Sequence, residues 1–222
     1  MKMRKIRLLL LLAISINLAT AQNHEPPFWN DIQAFKKADS AKLPPPHAIL
    51  FVGSSSFTKW TDVSSYFPGY TIINRGFGGS SLPDVIRYAN QIIFPYHPKQ
   101  IVIYCGENDL AASDTVTAAT VYKRFMVLFG LIRKELPGVP LIFISLKPSP
   151  SRWQLHEKMI AANDEIRDFL LKQKNAVFID VYHKMLGADG TPIKDIFVED
   201  NLHMNAKGYA IWQREIEPHL LK

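Results

Sequence analysis

The sequence predicts an α/β protein, a three-layer αβα sandwich in which helices cover both faces of a central five-stranded parallel sheet. Two observations lead to this fold class. Short, continuous apolar runs, typical of strands buried on both faces, alternate with amphipathic stretches of about 10 to 20 residues. Strands and helices that alternate in this way form βαβ units, and their right-handed crossovers place helices on both sides of the sheet.

The first helix and the first strand show how the elements are recognised. Trp29, Ile32 and Phe35 recur at helical spacing, which predicts a helix over 28–38. Prolines 44–46 end it and lead into the apolar run 48–52, the first strand.

The same pattern continues to the end of the chain. Further apolar runs predict strands at 70–73, 100–104, 140–145 and 176–181. Amphipathic segments predict helices at 82–93, 117–136, 154–173 and 206–221.

The N-terminus has the composition of a secretory signal peptide. Four basic residues precede an apolar segment, 8–18, and Ala19-Thr20-Ala21 supplies the small residues of a cleavage site. A membrane anchor is the alternative, but about 11 apolar residues fall short of the roughly 20 that span a bilayer. We therefore predict a cleaved signal peptide at 1–21, a single domain at 22–222, an exported location in the periplasm or outside the cell, and no stable membrane span after cleavage.

Charge and cysteine content exclude several classes of protein. The signal carries four of the 26 basic residues, so 22 remain against 20 acidic residues and the net charge falls from +6 to +2. A charge this small gives no reason to expect nucleic acid as a partner. Cys105 is the only cysteine, so no disulfide forms within the chain, and its apolar neighbours predict a buried thiol.

Three short polar motifs follow predicted strands, where parallel sheets place their sites. The first, Gly53-Ser54-Ser55-Ser56, offers a serine nucleophile, or merely a turn or helix cap. The second, 74–79, can present backbone N–H groups to an oxyanion, or form a plain glycine turn; it lacks the third glycine of a dinucleotide fingerprint. The third, 106–109, contains Asn108, an amide donor or an Asx turn.

An acid and a histidine stand three residues apart in the last loop. His203 can act as a general base, with Asp200 fixing its tautomer. The same segment can simply be the polar start of a helix capped by Asn205. A metal site would need further ligands, and His156-Glu157 does not extend to a zinc-binding His-Glu-x-x-His pattern.

The order of these motifs resembles the SGNH hydrolases, also called the GDSL esterase/lipase family. Gly-x-Ser, Asn-x-Gly-x-x-Gly, Gly-x-Asn-Asp and Asp-x-x-His follow one another across residues 49–212. The pattern Val52-Gly53-Ser54-Ser55-Ser56, with Trp60 downstream, is most similar to the branch of platelet-activating-factor acetylhydrolase-like bacterial esterases. In one respect the chain departs from the family, which usually has Asp where Ser54 stands.

The resemblance implies a flavodoxin-like fold and a serine esterase that needs no cofactor and no metal. It implies Ser55 as the nucleophile, with Ser54 and Ser56 as the alternatives. It implies Asp200 and His203 as the other members of the triad. The implied oxyanion hole consists of Ser55, Gly79 and Asn108.

The substrate expected from this resemblance is a small-molecule or carbohydrate ester with a short acyl group, most simply acetyl. Alternatives are an acyltransferase on the same fold, a lipolytic or lysophospholipase activity, a carbohydrate-binding protein without catalysis, and a nucleotide-binding domain. The predicted substrate contacts are residues near the predicted motifs or on the loop after the fourth strand, where Trp153 is either a sugar platform or part of the core: Phe77, Leu110, Lys147, Arg152, Trp153 and Phe197.

Overall fold

The computed structural model describes residues 25–222, so the predicted signal peptide at 1–21 lies outside the described residues. Its centre is one sheet of five parallel strands in the order β2-β1-β3-β4-β5. This order is the flavodoxin-like one. The strands are β1 Ile49–Gly53, β2 Ile72–Gly76, β3 Gln100–Tyr104, β4 Leu141–Ile144 and β5 Ala176–Ile179.

Eight α-helices connect and flank the strands within residues 25–222. Five are long: α1 Trp29–Ala41, α4 Leu82–Ile92, α6 Ala118–Glu135, α7 His156–Leu170 and α8 Ala206–Ile216. Three are short: α2 Ser55–Thr58, α3 Val63–Tyr66 and α5 Glu107–Ala111. Among several 3-10 turns, Pro150–Leu155 precedes α7.

The predicted fold class is confirmed, and β3 has the predicted bounds. The three short helices were not anticipated, because segments of four or five residues contain too few turns to show a helical period. The second strand was predicted too short. Asn74, Arg75 and Gly76, expected in the loop after it, pair with β1 inside the sheet.

The sheet separates two hydrophobic cores, because alternate side chains of each strand point to opposite faces. In β1, Leu50 and Val52 pack against α1, α4, α6 and α7. Ile49 and Phe51 pack on the other face, under α2, α3 and α8. Burial on both faces explains why β1 reads as an unbroken apolar run. Cys105 is wholly buried in the first core.

Among residues 25–222, no helix combines the length and the apolar character needed to cross a membrane.

Candidate active site

The three adjacent serines differ sharply in exposure. Ser54 and Ser56 are 4% and 2% exposed, whereas Ser55 is partly exposed at the first position of α2. Because β1 ends at Gly53, Ser55 lies just beyond the carboxyl edge of the sheet, where ligands bind in folds of this kind. Of the three hydroxyl groups, that of Ser55 is therefore the one open to a substrate.

The last helix braces this turn. The Tyr209 hydroxyl in α8 donates a hydrogen bond of 2.8 Å to the carbonyl oxygen of Ser56. Its ring also stacks on Trp60, with ring centroids 4.6 Å apart. These contacts join the segment that follows His203 to the segment that carries Ser55, although they are far apart in sequence.

Asp200 and His203 form a closely hydrogen-bonded pair in the loop before α8. The carboxylate Oδ2 lies 2.5 Å from His203 Nδ1, and Oδ1 accepts the backbone N–H groups of Leu202 and His203 at 2.8 Å each. Desolvation by itself raises the pKa of Asp200, but these hydrogen bonds outweigh it and lower that pKa to about 2. An ionised Asp200 can only accept, so Nδ1 carries the proton and Nε2 is left as the base.

Within residues 25–222, the Ser55 hydroxyl makes no hydrogen bond, to His203 or to any other group. The predicted acid and base are therefore hydrogen-bonded to each other, whereas the predicted nucleophile is not hydrogen-bonded to the base. Catalytic hydrogen bonds are often long in structures without substrate, and chemistry requires this one to close to about 2.6–3.2 Å.

Two backbone N–H groups of the predicted oxyanion hole have no hydrogen-bond acceptor among residues 25–222. In the described part of the chain, neither the N–H of Ser55 nor that of Gly79 makes a hydrogen bond. Gly79 is exposed and has φ +83°, a left-handed conformation that suits glycine. Free, fixed N–H groups of this kind are the donors of an oxyanion hole.

Asn108 follows β3, and both ends of its side-chain amide are occupied. Nδ2 donates to Ser54 Oγ at 2.6 Å and to the carbonyl oxygen of Ser80 at 2.9 Å. Oδ1 accepts from Arg152 Nη2 at 2.9 Å. The residue that replaces the family's usual Asp thus contacts the predicted oxyanion donor directly.

A buried ionic cluster lies behind Asn108. Glu107 Oε1 accepts from Arg152 at 3.1 Å, and Oε2 accepts from Lys147 at 3.1 Å and from the Tyr104 hydroxyl. Burial raises the pKa of Glu107, but the two cations more than offset this and lower it below its ordinary value. Glu107 is therefore ionised at neutral pH.

This cluster corrects the predicted roles of two cations. Lys147 is 1% exposed and its ammonium group pairs with Glu107, so it has no surface to offer a substrate. Arg152 is one-fifth exposed, and two of its five N–H groups bind Glu107 and Asn108 rather than pointing freely outward. Sequence reasoning missed Glu107, whose only signal was a carboxylate beside a predicted buried strand.

The predicted acyl-pocket residues also lie elsewhere. Phe77 and Leu110 are at most 1% exposed in the first core, where Phe77 packs against Phe28 and Tyr88. Phe197 is 6% exposed and belongs to the second core, beneath the Asp200 loop. The prediction that these three side chains line an open pocket is wrong, because their apolar surface packs inside the two cores.

Trp153 is half-buried: part of it packs against the core, and it also lines a groove. One face stacks on His156, with ring centroids 4.4 Å apart, and part of the ring packs against the first core. It also lines an open groove together with Pro150, Thr191 and Lys194. The next residue after Pro150, Ser151, donates its N–H to the carbonyl oxygen of Asn201, so this groove runs beside the Asp200 loop.

A second Asp-x-x-His pair, not anticipated from the sequence, follows β5. Asp180 Oδ2 lies 2.6 Å from His183 Nδ1, nearly the same geometry as in the first pair. The His183 side chain is 66% exposed, against 19% for His203. Since β5 is three strand spacings from β1, roughly 14 Å, this pair is remote from Ser55.

No group of three or more His, Cys, Asp or Glu side chains within residues 25–222 is arranged to hold a metal ion.

A partly exposed serine, a carboxylate–histidine pair and free backbone N–H groups at the carboxyl edge of a doubly wound sheet are the residue set of a serine hydrolase. The family follows from the sequence itself. Residues 51–211, nearly three quarters of the chain, match the model of the GDSL-like lipase/acylhydrolase family. The chain belongs to that family, and it is a carboxylic ester hydrolase.

Solved structures share the fold at low sequence identity. A Streptococcus pneumonia protein whose description names platelet activating factor is 17% identical, with a TM-score of 0.74 over 86% of this chain and 92% of its own. A GDSL-like lipase from Bacteroides thetaiotaomicron is 18% identical, with a TM-score of 0.73 over 85% and 96%. A family 3 carbohydrate esterase from Talaromyces cellulolyticus is 18% identical, with a TM-score of 0.61 over 78% and 95%. No curated protein is significantly similar to the chain in sequence.

Proposed function

We propose that the protein is an exported serine esterase that removes short acyl groups, above all acetyl, from a carbohydrate ester. The observation that carries the proposal is the Asp200–His203 pair, fixed with its basic nitrogen free, in the loop that leads into the helix bracing the Ser55 turn. Export rests on the sequence of residues 1–21.

The proposed reaction follows from the protonation states. His203 Nε2 takes the proton of Ser55, whose oxygen attacks the ester carbonyl carbon, and Asp200 stabilises the imidazolium that results. The oxyanion is held by the N–H groups of Ser55 and Gly79 and by the Asn108 amide. His203 then returns the proton to the leaving alcohol, and a water molecule releases the acyl group by the reverse sequence.

Two observations support a short acyl group on a sugar. Phe77, Leu110 and Phe197 are packed inside the two cores, so they provide no apolar channel for a long chain. The groove beside the Asp200 loop has an aromatic side chain, Trp153, next to polar groups, which suits the apolar face and the hydroxyls of a sugar ring. A carbohydrate esterase is among the proteins that share the fold.

Hydrolysis of p-nitrophenyl acetate, butyrate and octanoate tests the nucleophile and the acyl length together. We expect activity to fall steeply from acetate to octanoate, and Ser55→Ala to reduce kcat by at least about a thousandfold. Ser56→Ala is the matched control, one residue away and buried, and should change kcat less than threefold or so. Full activity in Ser55→Ala would refute the assignment.

The alcohol part of the substrate needs a separate comparison. Trp153→Ala should reduce kcat/KM about 10-fold or more on acetylated xylo-oligosaccharides, because the sugar ring can no longer stack on the aromatic face of Trp153. The same variant should leave p-nitrophenyl acetate hydrolysis within about twofold, since that substrate has no sugar. Equal losses on both substrates would contradict a sugar-binding groove.

A further inference from the structure

The Asn108 side chain is fixed more firmly than a lone oxyanion donor needs to be. Its carbonyl oxygen faces the Arg152 guanidinium at 2.9 Å, and its nitrogen faces two oxygen acceptors, Ser54 Oγ and the Ser80 carbonyl. Rotating the amide by half a turn would set an N–H group against the guanidinium, two donors face to face. The contacts therefore allow only one orientation, with Nδ2 towards the nucleophile turn.

Arg152 is itself held in place from behind. Glu107 is 5% exposed and accepts from Arg152 Nη1 at 3.1 Å, while Lys147 and Tyr104 hold its other oxygen. Two cations share one carboxylate, so the cluster has a net charge of +1 and the guanidinium is not neutralised. A cation at the carbonyl end of an amide draws electron density from the nitrogen and makes its N–H groups stronger donors.

The acceptor at the other end is neutral. Ser54 stands where the family usually has Asp, and its hydroxyl oxygen accepts a hydrogen bond of 2.6 Å from Asn108 Nδ2. Hydrogen bonds to a neutral hydroxyl are weaker than those to a negatively charged oxygen, so a developing oxyanion can replace Ser54 Oγ as the acceptor of this N–H group.

We propose that Arg152 is a positioning residue of the oxyanion hole: anchored by Glu107, it orients and polarises the Asn108 amide, whose Nδ2–H exchanges its hydrogen bond to Ser54 Oγ for one to the oxyanion. The inference rests on the proposed function, because it requires Ser55 to be the nucleophile. It replaces the predicted role of Arg152 as a direct substrate contact.

The test is the rate at which Ser55 is labelled by an alkyl fluorophosphonate, followed by intact mass. The Ser55 oxygen forms a bond to phosphorus as fluoride leaves, the serine proton goes to His203, and the phosphoryl oxygen occupies the oxyanion hole. The reagent resembles no particular ester, so the natural substrate need not be known. The proteins compared are wild type, Arg152→Met, Asn108→Ala and the double variant, with Ser55→Ala as the blank.

The expected pattern is non-additive. Asn108→Ala should slow labelling by about 100- to 1,000-fold, the usual effect of losing an oxyanion donor, and Arg152→Met by about 10- to 100-fold. In the Asn108→Ala background, Arg152→Met should slow labelling by no more than about threefold, because its effect passes through the missing amide. An equal slowing in both backgrounds, or none in wild type, would overturn the inference.

A second arginine separates positioning from general stability. Arg124, in α6, pairs at 2.7 Å with the buried Asp109, the neighbour of Asn108 in α5, but in the described residues it makes no hydrogen bond to Asn108. Arg124→Met should lower the melting temperature as Arg152→Met does, yet leave the labelling rate within about threefold. If both variants slow labelling alike, the effect is structural and the inference fails. A wild type that does not label at Ser55 would refute the proposed function as well, which distinguishes the two failures.

Discussion

Lys147→Met is the substitution that best separates a structural role from a substrate-binding one. The Lys147 ammonium lies 3.1 Å from Glu107 Oε2, and both side chains are at least nine-tenths buried. Burial lowers the pKa of Lys147, and the Glu107 carboxylate opposes that shift. Methionine keeps the length of the side chain but leaves Glu107 with Arg152 as its only cation.

The size of the effect follows from the contacts that remain. Removing one partner of a buried ion pair costs about 3–5 kcal/mol when the other charge is left uncompensated. Glu107 keeps its bonds from Arg152 and Tyr104, so the lower end applies, about 3 kcal/mol. At about 2–4 °C per kcal/mol for a domain of this size, the melting temperature should fall by roughly 6–12 °C.

Urea unfolding followed by circular dichroism gives the free energy of unfolding, and initial rates on p-nitrophenyl acetate give KM. The matched control is Lys207→Met, which removes an ion pair of similar length, 3.0 Å to Asp195, with both side chains about two-thirds exposed. A surface pair of this kind is worth about 0–1 kcal/mol, so the control should be nearly as stable as wild type.

A loss of stability in Lys147→Met no larger than that in Lys207→Met would refute a stabilising role for the buried ion pair. A rise in KM without loss of stability would also refute it, because that result would make Lys147 the substrate contact that the sequence predicts.

Three further outcomes are expected. Gly76→Ala should destabilise the fold by several kcal/mol and reduce esterase activity, because a Cβ there would lie 2.6 Å from the Cβ of Phe57 in α2, the helix that begins at Ser55. Gly130→Ala, in open space on α6, is the control and should stabilise the fold by about 0.5–1 kcal/mol. Thermal melts of the two variants compare these effects. Asp200→Asn should reduce kcat by more than about 100-fold while Asp180→Asn, in the remote pair, stays within about twofold, as p-nitrophenyl acetate rates will show. The pKa of Asp200, about 2, lies below its unfolded value of about 4, so the stability that this carboxylate contributes is complete above about pH 4 and is lost as the pH falls towards 2; acid unfolding of Asp200→Asn should lack that component.

The central strands β1, β3 and β4 could be predicted well because they are buried along their whole length, on both faces of the sheet. Continuous apolar runs such as that of β1 have no other common use in a chain with alternating amphipathic helices. The end of β2 was missed because Asn74, Arg75 and Gly76 are polar or small and do not continue the apolar run. Asn74 donates to the carbonyl oxygen of Phe57 and thus satisfies its polarity inside the fold.

The residue types of the site could be predicted, but their surroundings could not. A motif specifies that Asn108 follows a strand; it does not specify that Ser54 and Arg152 occupy the two ends of its amide. The predicted substrate contacts were judged by residue type, and burial overrode type for Lys147 and Phe77. Spacing alone also fails to separate the two Asp-x-x-His pairs, since only the sheet order shows which one lies far from β1.

The hydrogen bond from Tyr209 to Ser56 spans 153 positions of the sequence, and Asp200 and His203 lie 145 and 148 positions after Ser55. A growing chain therefore carries its serine turn long before it has a base to activate that serine or a helix to support it. Contacts between such distant segments also form slowly. Reactivity at Ser55 should consequently appear only after α8 has been synthesised and has docked against the turn that carries Ser55.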